Sequence, residues 1–301
     1  MLKEWPLVAF TLAGQTAVGL FLLTAATFIL IPEEPDYLMA VMRSWLLTSH
    51  GAVLVLLSGA ALASFFHLRH PARARRVLTN IATSRLSREI FFLLAFAALV
   101  AGVMALVAAN AAVDVVKGLQ IAAGLAGALY LQSMTGLYML VTLPVWRQAG
   151  TPICFVGSSL SLGAVALTAL GGRLIFVPLA VLFVFLELAG SAFFAPGYGL
   201  LSRRPRPSLR PPQSPSRRLH RVGLGLEFSG LILLIAVLFS LNREWEGPAG
   251  VFAVSAAMIL AGQAVRRFLF YGLLSNRAAE AGSPFTGILP TGHTLRNPRG
   301  C

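Results

Sequence analysis

Charged residues are scarce in this chain of 301 residues. Only 12% of them are charged, whereas 57% are hydrophobic, and the mean hydropathy is +0.78. A soluble domain carries about 25% charged residues, and half that share cannot cover a compact surface with polar groups. Disorder is excluded as well, because disordered chains lack apolar residues rather than charges. The composition therefore predicts an integral membrane protein.

Cysteine is nearly absent and forms no CxxC motif. Cys154 lies in an apolar segment, and Cys301 is at the C-terminus. Iron–sulfur clusters and structural zinc sites are built on closely spaced cysteines. We therefore expect this chain to provide no iron–sulfur cluster and no metal site.

Histidine is also scarce, with five residues: His50, His67, His70, His220 and His293. A buried b-type haem needs two histidines at matching depth on different helices. His50 lies about 25 Å along its helix from His67 and has no partner at its own depth. Only His67 or His70 with His220 can pair, at the rim of the membrane. We therefore expect no haem.

Long apolar runs are what the sequence has in abundance. A helix needs about 20 apolar residues to cross a bilayer. Helices satisfy their own backbone hydrogen bonds in lipid, and the alternating pattern of a membrane β-barrel is missing. Eight runs are long enough: 7–31, 45–66, 90–110, 118–142, 153–171, 174–198, 224–241 and 249–273.

These runs predict an all-α integral membrane protein, a bundle of about eight transmembrane helices. We expect the eight-span membrane domain to occupy residues 1–274, with an Arg/Pro-rich loop at 199–223. Residues 275–301, rich in Gly, Pro, Asn and Arg, are expected to be a flexible C-terminal tail. The surrounding partner of such a domain is membrane lipid.

The basic residues separate the two membrane faces. If the N-terminus and the even-numbered loops share one face, that face carries twenty Lys and Arg residues and the other carries four. Cytoplasmic loops are enriched in Lys and Arg, so we predict a multi-pass protein of the cell inner membrane with both termini in the cytoplasm. Because the basic residues punctuate apolar runs and form no stripe on a polar fold, nucleic acid is not an expected partner.

Two polar residues are placed to meet at one membrane face. His67 ends the second run, and Glu89 opens the third, on the far side of a loop of about 20 residues that returns to the same face. A histidine beside a carboxylate can take the hydroxyl proton of a quinol and relay it to water. The residues alone allow a second interpretation equally well, in which both are ordinary helix-end residues beside lipid headgroups.

Several other polar residues lie inside the apolar runs. Glu187 falls near the middle of the sixth, where a charge is costly, so we expect it to be protonated, hydrogen-bonded within the bundle or part of a proton route. Gln15 and Gln263 are more typical of contacts between helices than of ligand contacts. Arg267 and Tyr271 can close a quinol pocket, but aromatic-belt and topology roles explain them equally well.

Five segments, in order along the sequence, carry a family resemblance. They are Glu4-Trp5-Pro6-Leu7 with Phe10-Thr11 and Gly14-Gln15; His67-Leu68-x-x-Pro71-x-Arg73-Ala74; Ser84-x-Leu86-Ser87-x-Glu89-Ile90; Tyr138, Pro144, Trp146 and Thr151-Pro152; and Ala261-Gly262-Gln263 with Arg267-x-x-Phe270-Tyr271-Gly272. Together they resemble the membrane-anchor subunit of the anaerobic dimethyl sulfoxide reductase family. Two features depart from the family pattern: Gln263 stands where an acid is expected, and the 203–221 loop is longer and more basic.

The resemblance implies a function within a complex and no catalysis by this subunit alone. Such an anchor binds no haem, oxidises exchangeable menaquinol and feeds electrons to a four-cluster iron–sulfur subunit, which passes them to a molybdopterin catalytic subunit. The quinol-site histidine and glutamate of the family fall on His67 and Glu89. We add Arg73, Gln15 and Tyr271 as candidate quinol-binding residues.

Two alternatives remain at this point. A polysulfide-reductase-type anchor shares the quinone role. A secondary transporter is a different class, typically marked by paired repeats and interrupted helices. Residues 1–150 and 151–301 show no repeat, and the Gly and Pro breaks fall at helix ends, which disfavours a transporter.

Overall fold

The computed structural model describes residues 5–31, 35–66, 80–139, 149–171, 176–194, 214–240 and 248–280. Across these ranges the protein forms eight helices. They are α1 (Trp5–Leu30), α2 (Pro35–Phe65), α3 (Arg85–Ala108), α4 (Val113–Tyr138), α5 (Gly150–Gly171), α6 (Val177–Phe194), α7 (Ser214–Ser240) and α8 (Pro248–Glu280). Each predicted span corresponds to one helix, so the predicted all-α membrane bundle is confirmed.

Seven of the eight helices are long and apolar enough to cross a membrane. The exception is α6, whose apolar part is Val177–Ser191. Its 18 described residues rise about 27 Å. Large apolar side chains such as Val55, Leu125 and Phe239 are exposed on the outside of the bundle, as contact with lipid requires.

Three helix ends differ from the sequence prediction. α2 begins at Pro35 instead of residue 45, α7 begins at Ser214 instead of residue 224, and α8 continues to Glu280. The loop predicted at 199–223 is therefore too long, since its last ten residues are the first turns of α7. Apolar runs identify only the part of a helix that lies in lipid, and proline is well tolerated in a first helical turn.

The helices alternate in direction through the bundle. The ring of Trp5 at the start of α1 lies 5.7 Å from that of Phe66, just after α2. At the opposite end, Arg43 near the start of α2 donates to the carbonyl of Ala108 at the end of α3, at 2.6 Å. We call the end that holds the start of α1 and the end of α2 the even-loop end, and the opposite one the odd-loop end.

α1 lies inside the bundle and contacts α2, α4, α5 and α8. Its closest approach is to α5, where a Cβ atom on Gly19 or Gly163 would overlap the backbone of the other helix. Small residues allow helix backbones to approach in this way in membranes, where lipid tails are as apolar as the side chains. The crossing fixes the depth of α1 relative to α5 and therefore the register of the polar side chains that both helices carry.

Candidate functional site

Glu89 is a buried carboxyl group near the start of α3. Ser84 caps this helix by accepting a hydrogen bond from the backbone N–H of Ser87. The buried side of α3 then runs from Glu89 through Leu93 and Phe96, so the carboxyl belongs to the inward-facing side of the helix. Glu89 is only 2% exposed, and within the described ranges no hydrogen bond or ion pair reaches its carboxyl group. Burying such a group without a partner is costly, which marks it as a functional candidate.

Three tyrosines lie within electrostatic range of this carboxyl group. Tyr130 and Tyr138 come from α4, and Tyr271 comes from α8. The hydroxyl of Tyr271 donates to that of Tyr138 at 3.0 Å. The hydroxyl of Tyr130 is fully buried and has no hydrogen-bond partner among the described residues. Tyr130 therefore adds a second buried polar group without a described partner to the surroundings of Glu89.

Aromatic rings form a wall beside the tyrosines. The rings of Phe155 and Phe270 each lie 5.5 Å from that of Tyr138, and 6.0 Å from one another. The guanidinium of Arg267 lies over Phe155, 4.2 Å from the ring centre, which is the geometry of a cation–π contact. Phe155 is 1% exposed, so these rings and Arg267 pack on one another in the core of the bundle.

Gln15 connects α1 to this wall. Its Oε1 accepts a hydrogen bond of 2.8 Å from Nη2 of Arg267, and its backbone carbonyl accepts one of 2.8 Å from the hydroxyl of Ser159. The amide Nε2 is buried and unpartnered among the described residues. Arg267 and Ser159 thus hold Gln15 in place with one donor group unused.

The structure groups three of the five sequence-predicted quinol residues. Gln15 and Tyr271 are linked through Arg267, which lies one turn before Tyr271 on α8, and Tyr271 lies near Glu89. His67 and Arg73 lie outside the described residues, so their part of the prediction remains a prediction. Sequence reasoning missed Tyr130. It lies eight residues, about two helical turns, before Tyr138, and this spacing could have indicated that both face the same region.

A second polar network lies between α5, α6, α7 and α8. Glu187 on α6 accepts hydrogen bonds from Ser158 at 2.8 Å, from Gln263 at 2.6 Å and from Arg266 at 2.6 Å, and also from Ser161. The prediction that Glu187 is hydrogen-bonded inside the bundle is confirmed, as is the contact of Gln263 between helices.

Arg266 and Arg267 are two of the twenty basic residues predicted for the face of the N-terminus, but both lie inside the bundle. Arg266 contacts Glu187 and Glu227, and Arg267 is only 7% exposed. Both lie on α8 before its last turns, and their partners come from neighbouring helices. Their side chains therefore make contacts inside the bundle and do not belong to the basic loop surface. The prediction that placed them on that surface is wrong.

A cavity of about 350 Å³ lies between α5 and α6. Its lining is apolar except for Cys154, Glu187 and Ser191, and none of the candidate quinol residues contributes to it. We place the candidate site at Glu89 and not at this cavity, because Glu187 already has four hydrogen-bond donors while Glu89 has none in the described structure. A carboxyl that is free to accept a hydrogen bond is what a hydroxylated ligand needs.

The two described transmembrane histidines lie apart from one another. Nδ1 of His50 lies 2.6 Å from the carbonyl of Leu46, and its ring meets the edge of Phe21. His220 lies on α7 near Arg266. Over the described ranges, no three His, Cys, Asp or Glu side chains come together in a geometry that could hold a metal ion.

A family model described as the DMSO reductase anchor subunit (DmsC) matches residues 1–193. The chain belongs to this family. The matched residues include α1 to α5 and almost all of α6, and therefore contain Glu89, Gln15 and the two tyrosines of α4. Tyr271 and Arg267, on α8, come from the part of the sequence that follows.

Two curated relatives extend this result. The protein is 28% identical over 288 residues to the anaerobic dimethyl sulfoxide reductase subunit YnfH of Escherichia coli K12, covering 90% of this sequence and 94% of the relative. It is 32% identical over 161 residues to the C subunit of the anaerobic dimethyl sulfoxide reductase of Haemophilus influenzae, covering 51% and 53%. No solved structure matches the sequence. The protein is thus a multi-pass membrane anchor subunit of the dimethyl sulfoxide reductase family.

Proposed function

We propose that this anchor subunit oxidises menaquinol at Glu89 and passes the electrons to an iron–sulfur subunit with four clusters, which supplies a molybdopterin catalytic subunit in anaerobic respiration. The observation that carries the proposal is the Glu89 carboxyl group, which is 2% exposed, unpartnered in the described structure and within electrostatic range of three tyrosines. Family membership supports the assignment to a reductase complex. By itself the anchor subunit catalyses no reductase reaction.

The geometry suits a hydroxylated aromatic ring. In this proposal the quinol ring lies beside the aromatic wall, and the Glu89 carboxyl group accepts a hydrogen bond from one of its hydroxyl groups. When the quinol loses its two electrons, the acidity of that hydroxyl rises, and Glu89 takes the proton as a general base. The unused donor on Gln15 is available to the second oxygen. His67 and Arg73, which lie between α2 and α3 in the sequence, complete the proposed site.

The proposal also fixes where the partner docks. In this proposal the anchor holds no haem and no iron–sulfur cluster, so electrons pass directly from the quinol to the partner, and distance strongly limits that step. We therefore place the iron–sulfur subunit at the even-loop end, which holds Glu89. The basic residues of the even-numbered loops suit an acidic partner surface. In this arrangement the anchor spans the cell inner membrane with both termini in the cytoplasm.

The test is Glu89→Gln in the assembled complex, which keeps the size of the side chain and removes its ability to take a proton. We expect quinol-linked activity to fall by at least about 100-fold, the scale of a lost general base. Reductase activity with an artificial dye donor is unchanged, because it bypasses the anchor. The matched control is Asp114→Asn, the same change at an exposed carboxyl group at the start of α4. Full quinol oxidation by the Glu89→Gln complex would refute the proposal.

A further inference from the structure

The network around Arg266 contains two carboxyl groups in very different environments. Glu187 has four hydrogen-bond donors. Glu227, on α7, has one close contact, an ion pair of 2.8 Å between its Oε1 and Nε of Arg266. That contact lacks the alignment of a hydrogen bond, and both oxygens of Glu227 are without a hydrogen bond in the described structure. Glu187 thus accepts four hydrogen bonds, whereas the carboxyl oxygens of Glu227 have lone pairs free to hold a proton.

Close helix packing brings the two carboxyl groups to one guanidinium. A Cβ atom on Gly262 of α8 would lie 2.6 Å from Cγ of Glu227, so only a glycine leaves room for this side chain. Arg266 then contacts Glu187 through Nη2 and Glu227 through Nε, which are adjacent nitrogens of the same group. Arg266 thus bridges the two carboxyl groups, and a proton that moves from Glu187 to Glu227 stays beside the same guanidinium.

Ser158 connects this network to the candidate quinol site. Its hydroxyl donates to Oε1 of Glu187 at 2.8 Å and accepts from Nη2 of Arg267 at 3.3 Å. The same Nη2 donates to Gln15, and the guanidinium lies on Phe155 of the aromatic wall. Ser158 is 3% exposed, so the connection is shielded from solvent. Arg267 keeps its protons and holds this hydroxyl in place, while the second lone pair of the Ser158 oxygen can take a proton from a bound quinol as the hydroxyl proton passes to Glu187.

His220 lies on the route from Glu227 to the even-loop end. It precedes Glu227 on α7 by seven residues, about 10 Å along the helix axis. The imidazole is 6% exposed, interacts electrostatically with Arg266 and has an Nε2 without a hydrogen bond in the described structure. The network thus continues from the interior of the bundle toward the surface that also carries the first turn of α3.

We propose that the Glu187–Glu227 pair is the proton outlet for quinol oxidation and releases its proton at the even-loop end past His220. This inference rests on the proposed function. Quinol oxidation yields a quinone, two electrons and two protons. The electrons leave to the iron–sulfur partner. One proton goes from a quinol hydroxyl to Glu89, which releases it at the even-loop end before the next quinol binds. The second goes from the other quinol hydroxyl to the Ser158 oxygen as Ser158 gives its own proton to Glu187, and then on to Glu227. Each hydroxyl and carboxyl group returns to its starting state when its proton leaves.

The test uses the whole complex in liposomes with three variants: Glu227→Gln, Ser158→Ala and Glu89→Gln. We expect Glu227→Gln to slow quinol oxidation by at least about 10-fold, since proton transfer becomes limiting, and to increase the solvent deuterium isotope effect. Binding of an oxidised menaquinone analogue is unchanged, because Glu227 does not contact the site. Ser158→Ala keeps every charge of the network, and we expect it to give the same two effects. It therefore serves as the test if Glu227→Gln fails to assemble.

Matched controls and a side-specific readout separate the outcomes. Asp114→Asn controls for Glu227→Gln, and Ser240→Ala, whose hydroxyl bonds to the carbonyl of Val237, controls for Ser158→Ala. A membrane-impermeant pH dye on the even-loop side should report the released protons. If Glu89→Gln is inactive while Glu227→Gln and Ser158→Ala match their controls, the outlet is refuted and the quinol site stands. If Glu89→Gln oxidises quinol normally, the proposed function itself fails.

Discussion

Glu89 and Glu187 are both buried carboxyl groups in transmembrane helices, yet their surroundings are opposite. Glu89 is 2% exposed and has no hydrogen-bond partner in the described structure, whereas Glu187 is 4% exposed and has four. The donors of Glu187 stabilise its charge and connect α5, α6 and α8. Among the described residues Glu89 has no donor that gives such stabilisation, and the proposed quinol would supply the missing partner. Burial without a described partner, rather than burial alone, is what makes Glu89 the candidate site in this bundle.

The largest effect should separate the two carboxyl groups by stability. Glu187→Leu leaves Ser158, Gln263 and Arg266 facing an apolar side chain, and breaking a buried ion pair in this way costs about 3–5 kcal/mol. Glu89→Leu removes a carboxyl group that has no partner among the described residues, so we expect a change within about 1 kcal/mol or a gain. Thermal unfolding of the detergent-solubilised complex measures both variants. If both variants lost the same stability, the different hydrogen bonding of Glu89 and Glu187 would have no effect on the free energy of unfolding.

Arg267→Lys should have an intermediate effect on the quinol site. Lysine keeps the charge but loses the planar guanidinium that lies on Phe155 while it donates to Gln15. A contact of this kind is worth about 1–2 kcal/mol when desolvated, so we expect KM for quinol to rise by about tenfold with little change in assembly. Arg43→Lys, at the odd-loop end, is the control and should leave KM unchanged. A change in stability without a change in KM would assign Arg267 to structure alone.

Tyr271→Phe should have the smallest effect. The substitution removes the hydrogen bond of 3.0 Å to Tyr138 and keeps the ring against Phe270. A net hydrogen bond is worth about 0.5–1.5 kcal/mol, which corresponds to a rise in KM for quinol of about two- to tenfold. Steady-state kinetics with a soluble quinol measures it. An unchanged KM would remove Tyr271 from the site while leaving Glu89 in place.

The sequence predicts the bundle well because each span is a long apolar run that lipid requires. It predicts helix ends poorly where the helix leaves the apolar region, as at Pro35 and Ser214, since nothing in hydropathy marks those turns. Glu89 was predicted from its position at the start of a span and from the family resemblance. Its surroundings were not, because the contacts of Tyr138 with Tyr271 and of Arg267 with Gln15 join residues 133 and 252 positions apart.

The close crossing of α1 and α5 has a consequence for residues that carry no charge. A Cβ atom on Gly19 would overlap the backbone carbonyl of Ser159, so even an alanine at this position must push the two helices apart. The hydroxyl of Ser159 donates to the carbonyl of Gln15 one turn earlier on α1, and Gln15 in turn accepts from Arg267 of α8. A single added methyl group at a purely apolar contact should therefore disturb a polar connection that joins three helices.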